Sequence, residues 1–523
     1  MILFKKFGDL GRIGNQLFQL AFVVALSKRG GMAWSLPAWK FAKYFRIGAV
    51  WNTDKDTIAD QRQEEPFFHY SHDFANPKNY NPKRNIDFVG YYQTEKYFLD
   101  VWDDMKELFM FEGWFLRSIE NRSGFKPDGY CVAVHVRRGD YVGNNHYVNI
   151  PPEYYVTYFI EHPELKFYIF SDDYGYCKLH FQFLSNVEYV ERCHPIEHLC
   201  LMSQFKRHMI ANSSFSWWGA KLAELYNDDV HVIRPDGLFL GDLAERNIDI
   251  DFYPDRWDVR ALNQQIDLSD VTFVIPVAYD HAQRKKNLEL IVCMLQRNFK
   301  TNIIVGEQGA AQRFTFISKW VRYHHFNGMM DFHRTKMLNE MVMMANTPIV
   351  VNYDADVLVA PGAMYKAVQK IRDGIADFVY PYQRFARVPR VPHKDNLVKS
   401  LDVGILQGIF FPGLENNARV SYGGAVVMRK SSFVDAGMEN ENFISWGRED
   451  FERVWRFRKL GYVVDRVEGN IYHINHFVGE NSFKLHPHYQ GNNQEAAKIR
   501  RITPDDLREY IKTWPWAQKH NKK

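Results

Sequence analysis

The chain has 523 residues, of which 46% are hydrophobic and 16% aromatic, so it can build roughly two or three domains with cores of their own. Its 66 basic and 62 acidic residues leave a formal net charge of +4, which is too balanced for a protein that binds nucleic acid through a basic face. The five cysteines are irregularly spaced without a Cys-x-x-Cys pair, which argues against a disulfide framework or zinc site and favours a reducing compartment.

The chain opens with a short apolar run, a glycine-rich turn and a helical pattern. The apolar part of that helix, LFQLAFVVAL, is about half the length that a membrane span needs. No small-residue cleavage pattern follows it, and no later segment reaches spanning length. The sequence therefore predicts a soluble, cytoplasmic protein without a transmembrane segment, and it leaves peripheral membrane contact open.

Strands and helices alternate through the first half. Strand candidates are YCVAVHV, KFYIFSD, VEYVE, RHMIAN and DVHVIRP, with the helical patterns HLCLMSQF and WWGAKLAELY between several of them. This alternation predicts a parallel sheet with helices on its faces. Ligands bind such sheets at the carboxyl ends of strands. HVRRGDY and NSSFSWWGA both follow predicted strands and are therefore candidate site segments.

The segment HVRRGDY brings His135, Arg137, Arg138 and Asp140 to a strand end. Alternation along the strand sends the two arginines to opposite sides, so that one can face a ligand while the other packs back beside an acid. An arginine fork suits a phosphate group. An ordinary ion pair at the end of a strand is the alternative.

The segment NSSFSWWGA leads from a strand into a helix. Asn212 and the serines that follow it can cap that helix. The exposed N–H groups at a helix start also form a phosphate site. The residues alone leave capping and phosphate binding as open alternatives.

A polar stretch at 258–270 separates the two halves, and we predict a domain boundary there. The second half begins another strand, turn and helix pattern at Val271. VTFVIPV, TNIIVGEQ and TPIVVNYDADVLV are predicted as strands. KKNLELIVCMLQRN and FHRTKMLNEMVMMA are predicted as the helices between them.

Asp354 and Asp356 are two residues apart and are expected on one face of a strand end. Neighbouring carboxylates repel each other unless a cation lies near, and a divalent cation that also holds phosphates would meet that need. Downstream, His473 and His476 could complete a metal triad with a distant aspartate. A capping turn and ordinary histidines are the alternatives.

GRIGNQLFQLA, GYYQTEKYF, HVRRGDY, FSDD and MIANSSFSWWGAKLA occur in this order across nearly the whole first half. This set resembles the α1,2-fucosyltransferase family. The resemblance implies an inverting enzyme of the GT-B type, with two Rossmann-like lobes, that uses GDP-fucose and no metal. The implied GDP-fucose site comprises Asn15, Gln16, His135, Arg137, Arg138, Asp140, Asp172, Asn212, Ser213, Ser214 and Ser216.

Within that resemblance, Arg137 would hold the donor pyrophosphate, and Asn15 and Gln16 would lie in the N-terminal glycine loop facing the cleft. Asp172 would contact guanine or ribose. The sequence departs from the family at Leu20, where a tyrosine is usual. No motif identifies the catalytic base.

FHRTKMLN, the aspartate pair, SYGG, WGRED and YHINH occur in order between about residues 271 and 480. They resemble the β1,4-galactosyltransferase family and its GT-A relatives. The resemblance implies an inverting transferase that uses a UDP-sugar and Mn²⁺, or Mg²⁺. The implied metal ligands are Asp356, His473 and His476, and the implied UDP-sugar site comprises Arg334, Asp354, Gly423, Gly424 and Trp446.

The same resemblance implies that Asp450 is the general base and that Glu449 binds substrate hydroxyls. Inversion at an anomeric carbon needs a base for the acceptor hydroxyl and positive charge on the leaving diphosphate. Ser421 replaces the first residue of an aromatic pair and leaves the donor sugar open among galactose, glucose and their N-acetylamino forms. UDP-galactose is the expected donor.

We therefore predict an α/β bifunctional glycosyltransferase, with a GT-B domain over 1–260 and a GT-A domain over 271–523 that ends in a helical tail. The second domain would add a hexose, and the first would add α1,2-fucose to it during surface glycan synthesis. The partners would be nucleotide sugars and a glycan acceptor. One alternative is a single active domain with a degenerate carbohydrate-binding partner, and another is a sugar-binding protein without catalysis.

Overall fold

The computed structural model describes residues 1–53, 57–65, 69–123, 126–191, 193–246, 251–327, 331–388, 421–445, 447–476 and 486–520. The chain divides into two compact units, residues 1–177 with 184–263 and residues 178–183 with 264–523. Within the described ranges, a search for helices with the length and hydropathy of a membrane span finds none.

Before residue 264 the described chain alternates short strands with helices. The strands are β1 (Ile2–Leu3), β2 (Trp34–Ser35), β3 (Gln61–Glu64), β4 (Ile86–Val89), β5 (Cys131–Val136), β6 (Lys166–Ser171), β7 (Val187–Tyr189), β8 (Arg207–Met209), β9 (His231–Pro235) and β10 (Asp258–Arg260). The helices are α1 (Ile13–Gly30), α2 (His72–Ala75), α3 (Trp102–Met105), α4 (Gly113–Ser123), α5 (Pro152–Glu161), α6 (Tyr174–Phe181), α7 (Pro195–Met202), α8 (Ser214–Ala223) and α9 (Gly241–Arg246).

As far as the chain is described, these strands form two parallel sheets, in the orders β2-β1-β4-β3 and β10-β9-β8-β5-β6-β7. All six residues of β5 are buried between its neighbours β8 and β6. A strand covered on both faces is apolar throughout, which is why YCVAVHV shows no polar alternation. The predicted parallel sheet with intervening helices is confirmed.

The starts of helices α1 and α8 meet at a glycine. A Cβ on Gly14 would lie 2.5 Å from the carbonyl carbon of Ser214, so only glycine permits this approach. Further along, the rings of Phe18 and Trp217 have centroids 4.4 Å apart in the core of this unit. Aromatic packing of this kind fixes the two helices, and their amino-terminal ends lie side by side.

His208 on β8 is expected to make the stability of the first unit depend on pH. Its ring is 1% exposed, and burial lowers its pKa to about 4. Because the unfolded chain protonates this histidine near pH 6.5 and the folded chain only near pH 4, stability that is fully present above pH 6.5 is lost progressively as the pH falls to 4. His208→Gln should therefore remove about 2 kcal/mol of the stability difference between pH 7.5 and pH 5.

The measurement is urea unfolding of the full chain at both pH values, with tryptophan fluorescence as the signal of unfolding. His231→Gln is the matched control, because His231 is exposed on the neighbouring strand β9. An unchanged pH dependence in His208→Gln would show that this histidine is not the source.

After residue 263 the described chain continues in the same alternating way. The strands are β11 (Ile266–Ala278), β12 (Phe299–Gln308), β13 (Arg322–Phe326), β14 (Ile349–Tyr353), β15 (Val357–Val359), β16 (Phe378–Tyr380), β17 (Arg384–Val388), β18 (Ala425–Arg429), β19 (Val464–Arg466) and β20 (Asn470–Ile474). The helices are α10 (Ala282–Asn298), α11 (Arg334–Met344), α12 (Pro361–Arg372), α13 (Lys430–Asp435), α14 (Glu449–Lys459), α15 (Tyr489–Arg501), α16 (Pro504–Lys512) and α17 (Pro515–His520).

The second unit contains a mixed sheet in the order β13-β12-β11-β14-β18-β16-β19 and a smaller sheet in the order β15-β20-β17, counted over the described residues. The prediction of one strand over TPIVVNYDADVLV is wrong, because β14 and β15 belong to different sheets. The backbone N–H of Asp354 donates to the Gly424 carbonyl at 2.8 Å, and the Asp356 carbonyl accepts from Ile474 at 2.7 Å. The two aspartates therefore lie in the turn that carries the chain from one sheet to the other.

Candidate functional site

Arg137, just beyond the carboxyl end of β5, is held by two carboxylates. Its Nη1 lies 2.5 Å from Asp172 Oδ2, and its Nη2 bonds Asp140. The guanidinium carbon lies 5.3 Å from the ring centroid of Tyr141. Its buried Nε has no hydrogen-bond partner among the described residues. A largely buried guanidinium is thus presented at the strand end with one donor unused.

Arg138 points away from Arg137, as alternation along the strand predicts. Its guanidinium carbon lies 3.9 Å from the ring centroid of Tyr176, and its backbone N–H donates to Asp172 at 2.9 Å. His135 is also buried; burial, assisted by Arg137, lowers its pKa to about 3. His135 therefore stays neutral and adds no positive charge to the site.

Three of the predicted donor-site side chains hold the loop before α8 in shape. Ser213 caps the helix by accepting from the Phe215 N–H at 3.3 Å. Ser216 donates to two carbonyl groups of its own turn, and Asn212 donates to carbonyl groups of neighbouring loops. Ser213 therefore caps the helix, whereas Asn212 and Ser216 hold the loop through bonds to backbone carbonyl groups.

Ser214 and Asn15 join the two helix starts. The hydroxyl of Ser214 donates to Asn15 Oδ1 at 2.5 Å, and Gln93 donates to the same oxygen at 2.7 Å. Arg12, which precedes α1, lies 3.5 Å from the second oxygen of Asp140. Two helix amino-termini and two arginines therefore surround one region, which suits a diphosphate.

Gln16 does not face that region, contrary to expectation. Its amide nitrogen donates to the carbonyl groups of Gly8 and Gly11, both at 3.0 Å, and its oxygen accepts from Trp39 at 2.8 Å. The side chain is 5% exposed and fixes the glycine loop from inside. A buried amide with both ends bonded serves the local fold.

A second cluster lies in the other unit, where Asp356 meets His473 and His476. Asp356 lies 2.9 Å from Nε2 of His476 and 3.8 Å from Nε2 of His473. β15 pairs with β20 so that Val357 is opposite His473, and this register brings the aspartate turn to the histidines. Burial alone would raise the pKa of Asp356, but the hydrogen bond from His476 and nearby positive charges lower it to about 2.

The three side chains of this cluster fit a divalent ion. One ligand atom from each lies within 4.8 Å of the others. Among the described residues, this is the group of three His, Cys, Asp or Glu side chains that lie close enough together to share an ion. A carboxylate with two imidazoles is a ligand set for Mn²⁺ and neighbouring transition metals. The carboxylate is ionised at neutral pH, as coordination requires.

Arg284, on α10, also contacts this cluster and was missed by the sequence analysis. Its Nη1 lies 3.3 Å from Asp356 and its Nη2 lies 3.5 Å from His476. It is further fixed by Asp280 at 2.9 Å. The arginine adds a fixed positive charge next to the candidate metal ligands.

Asp354 has different partners from Asp356. It accepts two hydrogen bonds from Arg334, at 2.7 and 3.2 Å. Arg334 also lies 3.7 Å from Asp450, which in turn lies 2.9 Å from Arg453. Burial raises the pKa of Asp354 despite the opposing charge of Arg334. Arg334 therefore connects the aspartate turn to the predicted base.

Gly423 keeps open the space beside Asp450. A Cβ there would lie 2.7 Å from Asp450 Oδ2, and Gly424 has a φ of +98° that favours glycine. Glu449 is buried, and burial together with the charge of Asp450 raises its pKa to about 7. Trp446 lies outside the described residues, and its role stays a prediction.

Comparison with protein families finds two matches on this chain. Residues 9–237 match the model of glycosyl transferase family 11. Residues 411–480 match a model described as the N-terminal domain of galactosyltransferase. The first range contains the Arg137 region, and the second contains Asp450, His473 and His476.

Two curated relatives from Escherichia coli match parts of the chain. An alpha-1,2-colitosyltransferase is 29% identical over 248 residues, covering 40% of this chain and 85% of that protein. The O-antigen biosynthesis glycosyltransferase WbnK is 34% identical over 122 residues. That second match spans 21% of this chain and 39% of the relative.

Among solved structures, the catalytic domain of Drosophila beta1,4galactosyltransferase 7 in complex with xylobiose is 17% identical, with a TM-score of 0.25. The match covers 45% of this chain and 82% of that one. A likeness at this level does not establish a shared fold. The family and curated matches show that the chain is a glycosyltransferase with a family 11, fucosyltransferase-like part followed by a galactosyltransferase-like part.

Proposed function

We propose that the chain is a bifunctional glycosyltransferase that acts in two steps on one glycan. The galactosyltransferase-like unit transfers a hexose, galactose in our proposal, from a UDP-sugar. The fucosyltransferase-like unit then transfers α1,2-fucose from GDP-fucose to that galactose. In this proposal the first unit has the GT-B arrangement and the second the GT-A arrangement.

The observation that carries the proposal is that the two units hold polar clusters of different chemistry. In the second unit a carboxylate and two imidazoles meet at Asp356. In the first unit, arginines and two helix starts converge near Arg137. A single active unit with a degenerate partner would need only one of these.

In the second unit, Asp450 takes the acceptor proton. Its Oδ1 lies near Arg453 and Arg334, whereas Oδ2 lies on the side left open by Gly423. Oδ2 is therefore the atom we assign to the acceptor hydroxyl. Arg334 and Arg284 bring positive charge to the region of the leaving UDP. A divalent ion held by Asp356, His473 and His476 would supply further positive charge to the leaving diphosphate.

In the first unit, Arg137 and Arg12 bind the diphosphate of the GDP-sugar beside the starts of α1 and α8. Positive charge and N–H groups there stabilise the negative charge that develops on the leaving GDP. Colitose is fucose without its 3-hydroxyl group, so the name of the curated relative supports a donor of this shape. The proposed acceptor belongs to a surface polysaccharide, in line with the O-antigen relative.

The test supplies the full chain with Mn²⁺ and each UDP-sugar in turn, then with GDP-fucose, and measures products by mass spectrometry. We expect one hexose to be added first and one deoxyhexose only to the product of that step. Presenting each donor alone is the control. Consumption of only one donor class would favour a single active unit, and fucose addition without a prior hexose would contradict the order.

A further inference from the structure

The first unit needs a base that removes a proton from the acceptor hydroxyl, and several nearby acids are already committed. Asp140 and Asp172 both bond Arg137. Glu95 is buried against Arg256 and Lys221. Asp140 and Glu95 have a cation at each carboxylate oxygen, which favours the charged form and makes them weak bases. Asp450 of the second unit differs, because the described cations beside it lie at Oδ1 alone.

Glu65, directly after β3, has a different environment. The described residues provide it with no cation. Its carboxylate accepts from the backbone N–H of Tyr91 at 2.6 Å and from that of Tyr92 at 3.0 and 3.1 Å. β3 pairs in parallel with β4, so Glu65 lies at the carboxyl edge of the first sheet. That edge is where parallel sheets bind ligands.

The turn that holds Glu65 also reaches the diphosphate site. Gln93, the residue directly after Tyr92, donates to Asn15 at the start of α1. Ser214 donates to the same Asn15 oxygen, and the carbonyl of Asn212 in the same loop accepts from the Tyr141 hydroxyl at 3.0 Å. The guanidinium carbon of Arg137 lies 5.3 Å from the ring centroid of Tyr141. Glu65 and Arg137 therefore flank the same region from two sheets.

The backbone at this turn is strained in order to present its N–H groups. Tyr92 has a φ of +52°, which is unfavourable for a residue with a side chain. A Cβ on Gly90 would lie 2.7 Å from Glu65 Oε2. The carboxylate can therefore lie against Gly90 because glycine has no Cβ. The turn thus positions the carboxylate tightly.

We propose that Glu65 is the general base of the first unit, an assignment that rests on the proposed function. It accepts the proton of the acceptor galactose 2-hydroxyl while that oxygen forms a bond to C1 of the fucosyl group. The bond from C1 to the phosphate oxygen breaks, and GDP leaves with the electron pair. Glu65 then releases the proton to solvent, so that atoms and charge balance.

The protonation chemistry of Glu65 agrees with this role. Burial raises its pKa to about 7, although the N–H groups of Tyr92 and Tyr91 act in the opposite direction. Burial, with a contribution from the charge of Glu65, raises the pKa of Tyr92 and Tyr97, so both phenols remain neutral. A base with a pKa near the working pH is the most effective one.

The test compares Glu65→Gln with Glu64→Gln in the full chain, using GDP-fucose and a β-galactoside. Glu64 is the matched control, because it precedes Glu65 as the last residue of β3 and is exposed. Glu65→Gln should lower kcat by about 10²-fold or more and leave the KM for GDP-fucose within about threefold. The acidic limb of the pH profile, near pH 7 in the wild type, should disappear.

A second variant separates catalysis from positioning. Azide is an anion and attacks without losing a proton, so it needs no base. Glu65→Ala should therefore form fucosyl azide from GDP-fucose and azide at a rate near that of the same reaction in the wild type. Full activity of Glu65→Gln, or equal loss of the azide and galactoside reactions, would overturn the assignment while the proposed function stands. If the wild type uses no GDP-deoxyhexose, the proposed function fails and the assignment fails with it.

Discussion

Asp356→Ala is expected to abolish hexose transfer from the UDP-sugar, with a loss of about 10³-fold or more, and to leave transfer from GDP-fucose within about twofold of wild type. Asp356 is the only carboxylate in the described cluster with His473 and His476. Two imidazoles without it would hold a divalent ion weakly. The positive charge of Arg284 would also lose its partner and further oppose a cation.

The measurement follows each donor separately, with and without Mn²⁺, and records Mn²⁺ binding by calorimetry. Asp373→Ala is the control, because this aspartate is exposed after helix α12 and lies outside the cluster. Wild type and control should bind Mn²⁺, and Asp356→Ala should not. Undiminished UDP-sugar transfer would show that the metal assignment is wrong, and loss of both activities would show that the units are not independent.

The local sequence pattern predicts best the elements that depend on neighbouring residues alone. The apolar run of β5 and the serine before α8 both identify their elements, because a buried strand and a capped helix need only local information. Helix α10 starts three residues earlier than predicted. Its cap is His281, which accepts from the Gln283 N–H at 3.2 Å, and histidine is not a usual cap.

The turn at Asp354 and Asp356 could not be predicted from the residues around it. Its shape depends on hydrogen bonds to Gly424 and Ile474, which lie far along the chain. The same limit hid Arg284, because its contact with Asp356 links residues 72 apart in sequence. Family resemblance identified Asp356, His473 and His476 together, and the structure brings all three within reach of one ion.

Arg137 and Arg138 also show one feature that local sequence predicts and one that distant contacts decide. Alternation along a strand is enough to predict that Arg137 and Arg138 diverge. Which of them faces the helix starts depends on Asp172, at the end of the neighbouring strand β6, and on the ring of Tyr176. Those contacts come from tertiary packing, and the sequence alone leaves the choice open.

Arg137→Ala is the second large expected effect. It should reduce fucose transfer by about 10²–10³-fold and leave transfer from the UDP-sugar unchanged. Its guanidinium is held between Asp140 and Asp172, with the buried Nε unbonded in the described structure. A diphosphate that replaces Asp140 as a partner would receive a planar pair of N–H donors.

Arg137→Lys tests whether that planar geometry matters beyond charge. An ammonium group is a point charge and cannot donate in parallel to two acceptors as the fork does, so lysine should restore little of the activity. Kinetics in GDP-fucose and calorimetry with GDP measure the effect, with Arg122→Ala, at a surface ion pair with Glu197, as the control. An unchanged affinity for GDP in Arg137→Ala would contradict the diphosphate role. In that case Arg137 would serve as an ion-pair partner of Asp172 that holds the loop.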